Sequence, residues 1–188
     1  MQRCGWVSND PLYQTYHDSE WGIAQTQSTP LFEMLCLEGQ QAGLSWITVL
    51  KKRENYRTAF YQFDPKAIAQ MNESDIDRLM QDSGLIRHRA KLNAIVANAR
   101  AYLVMQENGE DFSRFIWSFV DHQPQINHFT EGAAVPAQTP ASLALSKALK
   151  KRGFKFVGAT ICYAFMQACG LVNDHLTGCF RHPDNQLR

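Results

Sequence analysis

The chain has 188 residues, of which 45% are hydrophobic and 20% charged, a balance that suits one folded domain over residues 1–188. A net charge of +1 excludes a uniformly basic nucleic-acid binder, and five cysteines without disulfide-like spacing suit a reducing cytoplasm. No apolar leader follows Met1 and no run reaches the ~20 apolar residues of a membrane span, so a protein that is neither exported nor membrane-bound is expected.

The first stretch holds Trp6, Tyr13, Tyr16 and Trp21, too many aromatics for a frayed terminus. They either staple the terminus to the core or form a surface on which a flat ring stacks. Ser28 and Pro30 open a helix that carries Leu31, Phe32, Leu35 and Cys36 to Gln41 and breaks at Gly43. Ser45 caps the next, with Trp46, Val49, Leu50 and Phe60 at helical spacing. Asp64 and Pro65 start a short helix, and Ser74 with Asp77 resembles a cap for a helix over residues 76–81 that Gly84 ends.

From about His88 the pattern Leu92, Ile95, Val96, Ala99, Leu103 continues for several turns, and residues 112–120 give an aromatic helix. Residues 127–140, with Gly132, Pro136 and Pro140, read as a loop. Thr139 and Pro140 begin a helix ending at Arg152 and Gly153, and residues 158–170 form the last long one. Nothing alternates as a strand for long, so the fold class expected is all-α, with the last few residues frayed. No long exposed apolar helix demands a partner, and a monomer is expected.

Three basic groups stand out: Lys51, Lys52, Arg53 and Arg57; then Arg87, His88, Arg89 and Lys91; then Lys147, Lys150, Lys151, Arg152 and Lys155. Each alone is an ordinary solvated helix face or a helix end complementing its dipole, whereas the three together allow a phosphate-contacting surface. Between two predicted helices, Ser83 and Gly84 form a connection that could aim backbone N–H groups at a phosphate, although most short glycine-containing connections do no more than connect.

Glu38 sits three, four and seven residues after Leu35, Met34 and Leu31, on the apolar face of its helix. A carboxylate there is either solvated or faces a polar cavity as a recognition or catalytic group. The ends of the chain each carry one cysteine and one histidine: Cys4 with His17, and His175 with Cys179 at a spacing that a helix would place on one face. The four are either buried thiols and packing histidines or a closed Cys2His2 zinc site tying the termini together. Cys36, Cys162 and Cys169 lie in apolar helical stretches and read as core.

Several segments together resemble the 3-methyladenine DNA glycosylase I family of bacterial base-excision repair. They are Arg3-Cys4-Gly5-Trp6-Val7, Tyr16-His17-Asp18, Glu20-Trp21-Gly22, residues 37–46, residues 151–158, and Gly170-Leu171-Val172-Asn173-Asp174-His175. The resemblance runs from the first residue to about Phe180. It implies a helix-hairpin-helix glycosylase fold in which one structural zinc ion, held by Cys4, His17, His175 and Cys179, ties the N- and C-terminal segments. It implies a base pocket where Glu38 accepts hydrogen bonds from the adenine edge and Trp46 and Tyr16 stack on the ring, with Trp6 and Tyr13 nearby. Gly43 and Leu44 match the tip inserted into alkylated double-stranded DNA, and Gly84 sits in the hairpin, which lacks the Gly-x-Gly pattern of the wider superfamily. The implied reaction hydrolyses the N-glycosidic bond and releases 3-methyladenine without cutting the strand. A non-catalytic zinc-stabilised helix-hairpin-helix DNA-binding module is the alternative, and a zinc hydrolase ranks third because four protein ligands leave no place for water.

Overall fold

A computed structural model describes residues 1–186. Helix α1 (Pro11–Ser19) begins where the Asp10 side chain accepts the Leu12 N–H and Pro11 fixes the first turn. Helix α2 (Ser28–Gln40) is buried almost continuously from Leu31 onward and packs against α3 (Trp46–Ala59), α6 (Arg89–Glu107), α7 (Phe112–Trp117) and α9 (Ala159–Ala168), which makes it the axis of the molecule. Its neighbours share one continuous set of buried side chains that includes Leu35, Phe60, Ile95, Leu149 and Phe165. Among the described residues no helix is long and apolar enough to cross a membrane.

Two short helices, α4 (Pro65–Ala69) and α5 (Glu73–Leu79), precede α6. The reciprocal cap of α5 is formed by Asn72 and Asp75, not by Ser74 and Asp77: Asn72 accepts from the Ser74 and Asp75 amides, and Asp75 accepts from the Asn72 amide. Asparagine outcompetes serine because its carbonyl reaches two successive N–H groups from one extended residue. His88 caps α6 by accepting the Lys91 N–H, Asp111 caps α7, and Thr139 with Ser142 caps α8 (Pro140–Lys151). Residues 112–120 are not one helix, since a 3₁₀ turn over Ser118–Val120 follows α7.

The expectation of no strand is corrected by a two-residue parallel pair, β1 (Gln125–Ile126) with β2 (Val172–Asn173). Two residues per strand are too few to leave an alternation in the sequence. The fraying expected at the end is also corrected in part, because residues 183–186 form α10 (Pro183–Gln186); the remaining two positions lie outside the described residues.

The N-terminal segment is held down by the end of α9. Gly22 N donates to Gln167 O at 3.1 Å and Gln25 N to Cys169 O at 2.9 Å. Gly170 makes that approach possible: its φ is +69°, and a Cβ there would lie 2.4 Å from Ala24 N and from Ile23 C. Gly170→Ala is therefore expected to cost about 3 kcal/mol or more and to lower the melting temperature by roughly 6–12 °C. Calorimetry showing a shift under about 2 °C would contradict this close approach.

Candidate functional site

Helix α1 carries His17 and the chain before it carries Cys4; the segment after β2 brings His175 and Cys179 to the same point, and all four are buried. Cys4 Sγ lies 3.6 Å from His175 Nδ1, and Cys179 Sγ lies 3.4 Å from His17 Nε2 and 3.6 Å from His175 Nδ1. A tetrahedral ion with bonds of ~2.3 Å to sulfur and ~2.05 Å to nitrogen requires edges of about 3.6 Å, so the group can hold a metal ion with little movement. His175 and Cys179 do not lie on a helix. Residues 175–179 form a turn, closed by Cys179 N donating to Leu176 O at 2.7 Å, which brings the two ligands together as a helical spacing would.

The surroundings of the four residues fit a metal as well. His17 Nδ1 meets Asp18 Oδ1 at 2.8 Å, and Arg3 grips Asp18 through Nε at 2.8 Å and Nη2 at 2.7 Å, which holds the carboxyl down to about 2. His175 Nε2 points at Trp21 O at 3.0 Å. With the outward nitrogen of each ring protonated, the inward nitrogen keeps its lone pair for an ion. The Cys4 thiol, then His17, His175 and the Arg181 amide, push the Cys179 thiol far below its ordinary range. A second His/Asp group, His128, His182 and Asp184, has two of its three members open to solvent, with His128 Nε2 3.2 Å from Asp184 at the surface.

The ligands lie under an aromatic wall. Trp21 meets His175 edge-on with ring centroids 4.7 Å apart, Trp6 meets Trp21 and Tyr13 at 5.0 Å each, and Trp6 meets His17 at 5.3 Å. That wall borders a cavity of about 430 Å³, lined also by Tyr16, Trp46, Glu38, Gln41, Gln167 and Asp174. Tyr16 and Trp46 touch each other, 5.7 Å between centroids and 43° between planes. They make a corner against which a ring can lie, not the two parallel faces of a sandwich.

Glu38 is 4% exposed, and the solvated alternative is therefore out. Its Oε2 has no hydrogen-bond partner, nor has the Trp46 indole N–H nearby in the same lining. Burial raises the Glu38 carboxyl from its ordinary 4.5 to about 8. A buried acid without a protein partner destabilises a fold by several kcal/mol, and at a cavity wall Glu38 is placed to meet a donor or a cation that enters.

Gly43 and Leu44 form the turn between α2 and α3, at the rim given by Gln41 and Trp46. Gly43 has φ +78° with nothing near its Cβ position, and Leu44 is 41% exposed. The turn is braced from beneath by Lys91, whose Nζ donates to Gln40 O at 3.0 Å and Ala42 O at 2.6 Å. Lys91 is thus a buried helix-end cap and not part of a basic surface. Five of the other basic residues are engaged in ion pairs: Lys51 with Asp10, Arg53 with Glu20, Arg57 with Glu33, Arg89 with Glu73 and Asp77, Arg152 with Glu110. Gly84 does not join the cavity. It sits on the connection between α5 and α6, where its N–H donates to Asp82 Oδ1 at 2.8 Å and its carbonyl accepts from Asn55.

Sequence reasoning missed the second wall of the cavity. Gly132 and Val135 of the 127–140 loop, Ala164 and Gln167 of α9, and Asp174 and Leu176 after β2 all line it. Only Asp174 carried a signal, as a charged residue beside a candidate metal ligand.

A buried acid, an aromatic corner and a cavity of this size on a mostly helical frame suit a flat ring bearing hydrogen-bond donors or positive charge. The family model for methyladenine glycosylase matches residues 6–182. The chain is 67% identical over 186 residues to DNA-3-methyladenine glycosylase 1 of Escherichia coli K12, covering 99% of this chain and 100% of that one. Among solved structures, 3-methyladenine DNA glycosylase I superposes with a TM-score of 0.96 at 69% identity over 97% of this chain and 100% of that one. A Y16F form of 3-methyladenine DNA glycosylase I in complex with 3-methyladenine superposes at 0.92 with 42% identity, over 97% and 98% of the two chains. The chain belongs to the methyladenine glycosylase family.

Proposed function

We propose that this chain is a monofunctional DNA glycosylase that removes 3-methyladenine from alkylated double-stranded DNA, releasing the free base and leaving an abasic site for repair. The observation that carries the reading is Glu38, buried and unpartnered at the wall of a cavity whose aromatic corner suits a purine. Methylation at N3 leaves adenine cationic while it is joined to deoxyribose. The glycosidic bond then breaks with its electron pair going to the base, which leaves neutral, and water adds to the sugar carbon and releases a proton. No acid is needed at the leaving group. The protein has to flip the nucleotide, at a cost of a few kcal/mol, and hold the cation in a negative field. Glu38 supplies that field and the acceptor for the base edge, Tyr16 and Trp46 supply the ring contact, and Trp6 and Tyr13 complete the wall.

In this reading the ion of the Cys4, His17, His175 and Cys179 group is zinc, and four protein ligands make it structural. When bound it supplies anchoring alone: it fixes the segment that carries Tyr13, Tyr16 and Trp6 against the C-terminal segment. The α5–α6 connection at Gly84 serves as the hairpin of a helix-hairpin-helix, with the N-terminal turn of α6 turned toward phosphate. Leu44 fills the gap that the flipped nucleotide leaves. Leu44→Ala is expected to slow excision from duplex by ~10-fold and from single strands much less, because only the duplex has a stack to hold open. Equal losses on both substrates would remove Leu44 from that role. The enzyme acts as a one-domain monomer in the cytoplasm, where its five thiols stay reduced.

The test is to incubate the pure protein with alkylated DNA and separate the released bases by chromatography. Release of 3-methyladenine, with strands left uncut, is expected. A protein that binds the DNA and releases no base would instead be the non-catalytic module.

A further inference from the structure

The cavity holds a second carboxylate. Asp174 is 2% exposed, lies on the wall formed by α9 and the segment after β2, and accepts from three donors. Asn127 Nδ2 donates to Oδ1 at 2.7 Å, Gln167 Nε2 donates to Oδ2 at 2.9 Å, and the Tyr163 hydroxyl donates to the same oxygen. Three donors and no donated hydrogen is the bonding pattern of a carboxylate.

What the pair of acids lacks is a cation. None of the ion pairs among the described residues includes Glu38 or Asp174. Buried charge is normally paired within the protein, and two acids without a basic partner on one cavity leave the pairing to the ligand. Neutral donors hold Asp174 rigid without cancelling its charge, which is how an enzyme keeps a field oriented before its substrate arrives.

We propose that Asp174 is the second anionic group of the base pocket, set against positive charge as it moves during the reaction. Resting on the glycosylase reading above, this assigns the two acids to two ends of one event. The lesion enters with its charge on the purine. When the bond to the sugar breaks, the electron pair goes to the base and the positive charge passes to the deoxyribose ring until water adds and a proton is lost. A single acid at the base edge loses its partner during that transfer. A second acid on another wall keeps the cavity matched to the charge throughout, and raises the rate without tightening the hold on the neutral product.

The test is Asp174→Asn in the full-length, metal-loaded protein. Asparagine keeps the size and, with the Tyr163 hydroxyl and the Gln167 amide turned, keeps three hydrogen bonds. Single-turnover excision of 3-methyladenine from duplex is expected to fall by ~10-fold or more. Binding of the free, neutral base, followed by tryptophan fluorescence, should change by less than about 2-fold, with metal content unaltered. Asn127→Ala and Tyr163→Phe each remove one of the three donors but leave the charge, and each should slow excision less than Asp174→Asn does. An Asp174→Asn rate within about 2-fold of the parent would overturn the proposal. So would losses in Asn127→Ala and Tyr163→Phe as large as that of Asp174→Asn, or large losses in both should Asp174→Asn fail to fold, since Asp174 would then be scaffold. A parent protein that releases no base at all would instead sink the glycosylase reading itself.

Discussion

Glu38→Gln is expected to slow excision of 3-methyladenine by ~100-fold or more while making the folded protein more stable above neutral pH. Both effects come from one cause. The side chain keeps its shape, so the aromatic corner and the neighbouring Trp46 are undisturbed, but the negative charge is gone from a place where the protein offers it no partner. The stability side follows from the raised carboxyl, about 8 in the fold against an ordinary 4.5. Below 4.5 both folded and unfolded chains are protonated and the acid costs nothing. From 4.5 to about 8 the unfolded chain gains increasingly by ionising, and above about 8 the full cost of roughly 3–5 kcal/mol is present. Thermal melts of parent and variant should therefore coincide near pH 4 and separate by roughly 10 °C near pH 9. The kcat/KM for duplex should rise with pH toward about 8 and then level, since the free enzyme must present the ionised acid to a cationic base. A variant that excises as fast as its parent, or a profile flat from pH 6 to 9, would remove Glu38 from the mechanism.

Removing the proposed metal should have an effect of similar size on a different quantity. Cys179→Ser, or stripping the parent with a chelator, is expected to lower the melting temperature by roughly 10–20 °C and to abolish base binding, because metal-binding free energy is folding free energy. The segment released would be the one that carries Trp6, Tyr13 and Tyr16, where Trp6 rests on Tyr13, His17 and Trp21, and Trp21 rests on His175. Asp18→Asn separates the ion from its support: metal affinity should fall by ~10–100-fold with the four ligands intact. Stripped protein that melts and binds base as before would show that the cluster is not an anchor.

Much of the site was legible in the residues. The apolar register of Glu38 on its helix and the crowding of aromatics before Trp21 both lead to the cavity wall, and the cysteine and histidine at each end do meet. What was not legible depends on distance along the chain. The β1–β2 pair joins residues 125 and 172 through two-residue strands, and Asp174 sits on the cavity wall bonded to Asn127 from one segment and to Tyr163 and Gln167 from α9. Lys91 reads as one more cation beside Arg87 and Arg89, yet its chain runs inward to cap α2. Left-handed backbone at Tyr61, Gln62 and Phe63 has no glycine or asparagine to announce it; the burial of Phe63 beside Phe60 and Phe32 is what holds it.

Crystals grown with 3-methyladenine test the central claim most directly. The base should lie against the Tyr16–Trp46 corner with one of its nitrogen donors about 3 Å from the Glu38 carboxylate. Density for the base outside this cavity, or inside it with Glu38 still unpartnered, would contradict the account.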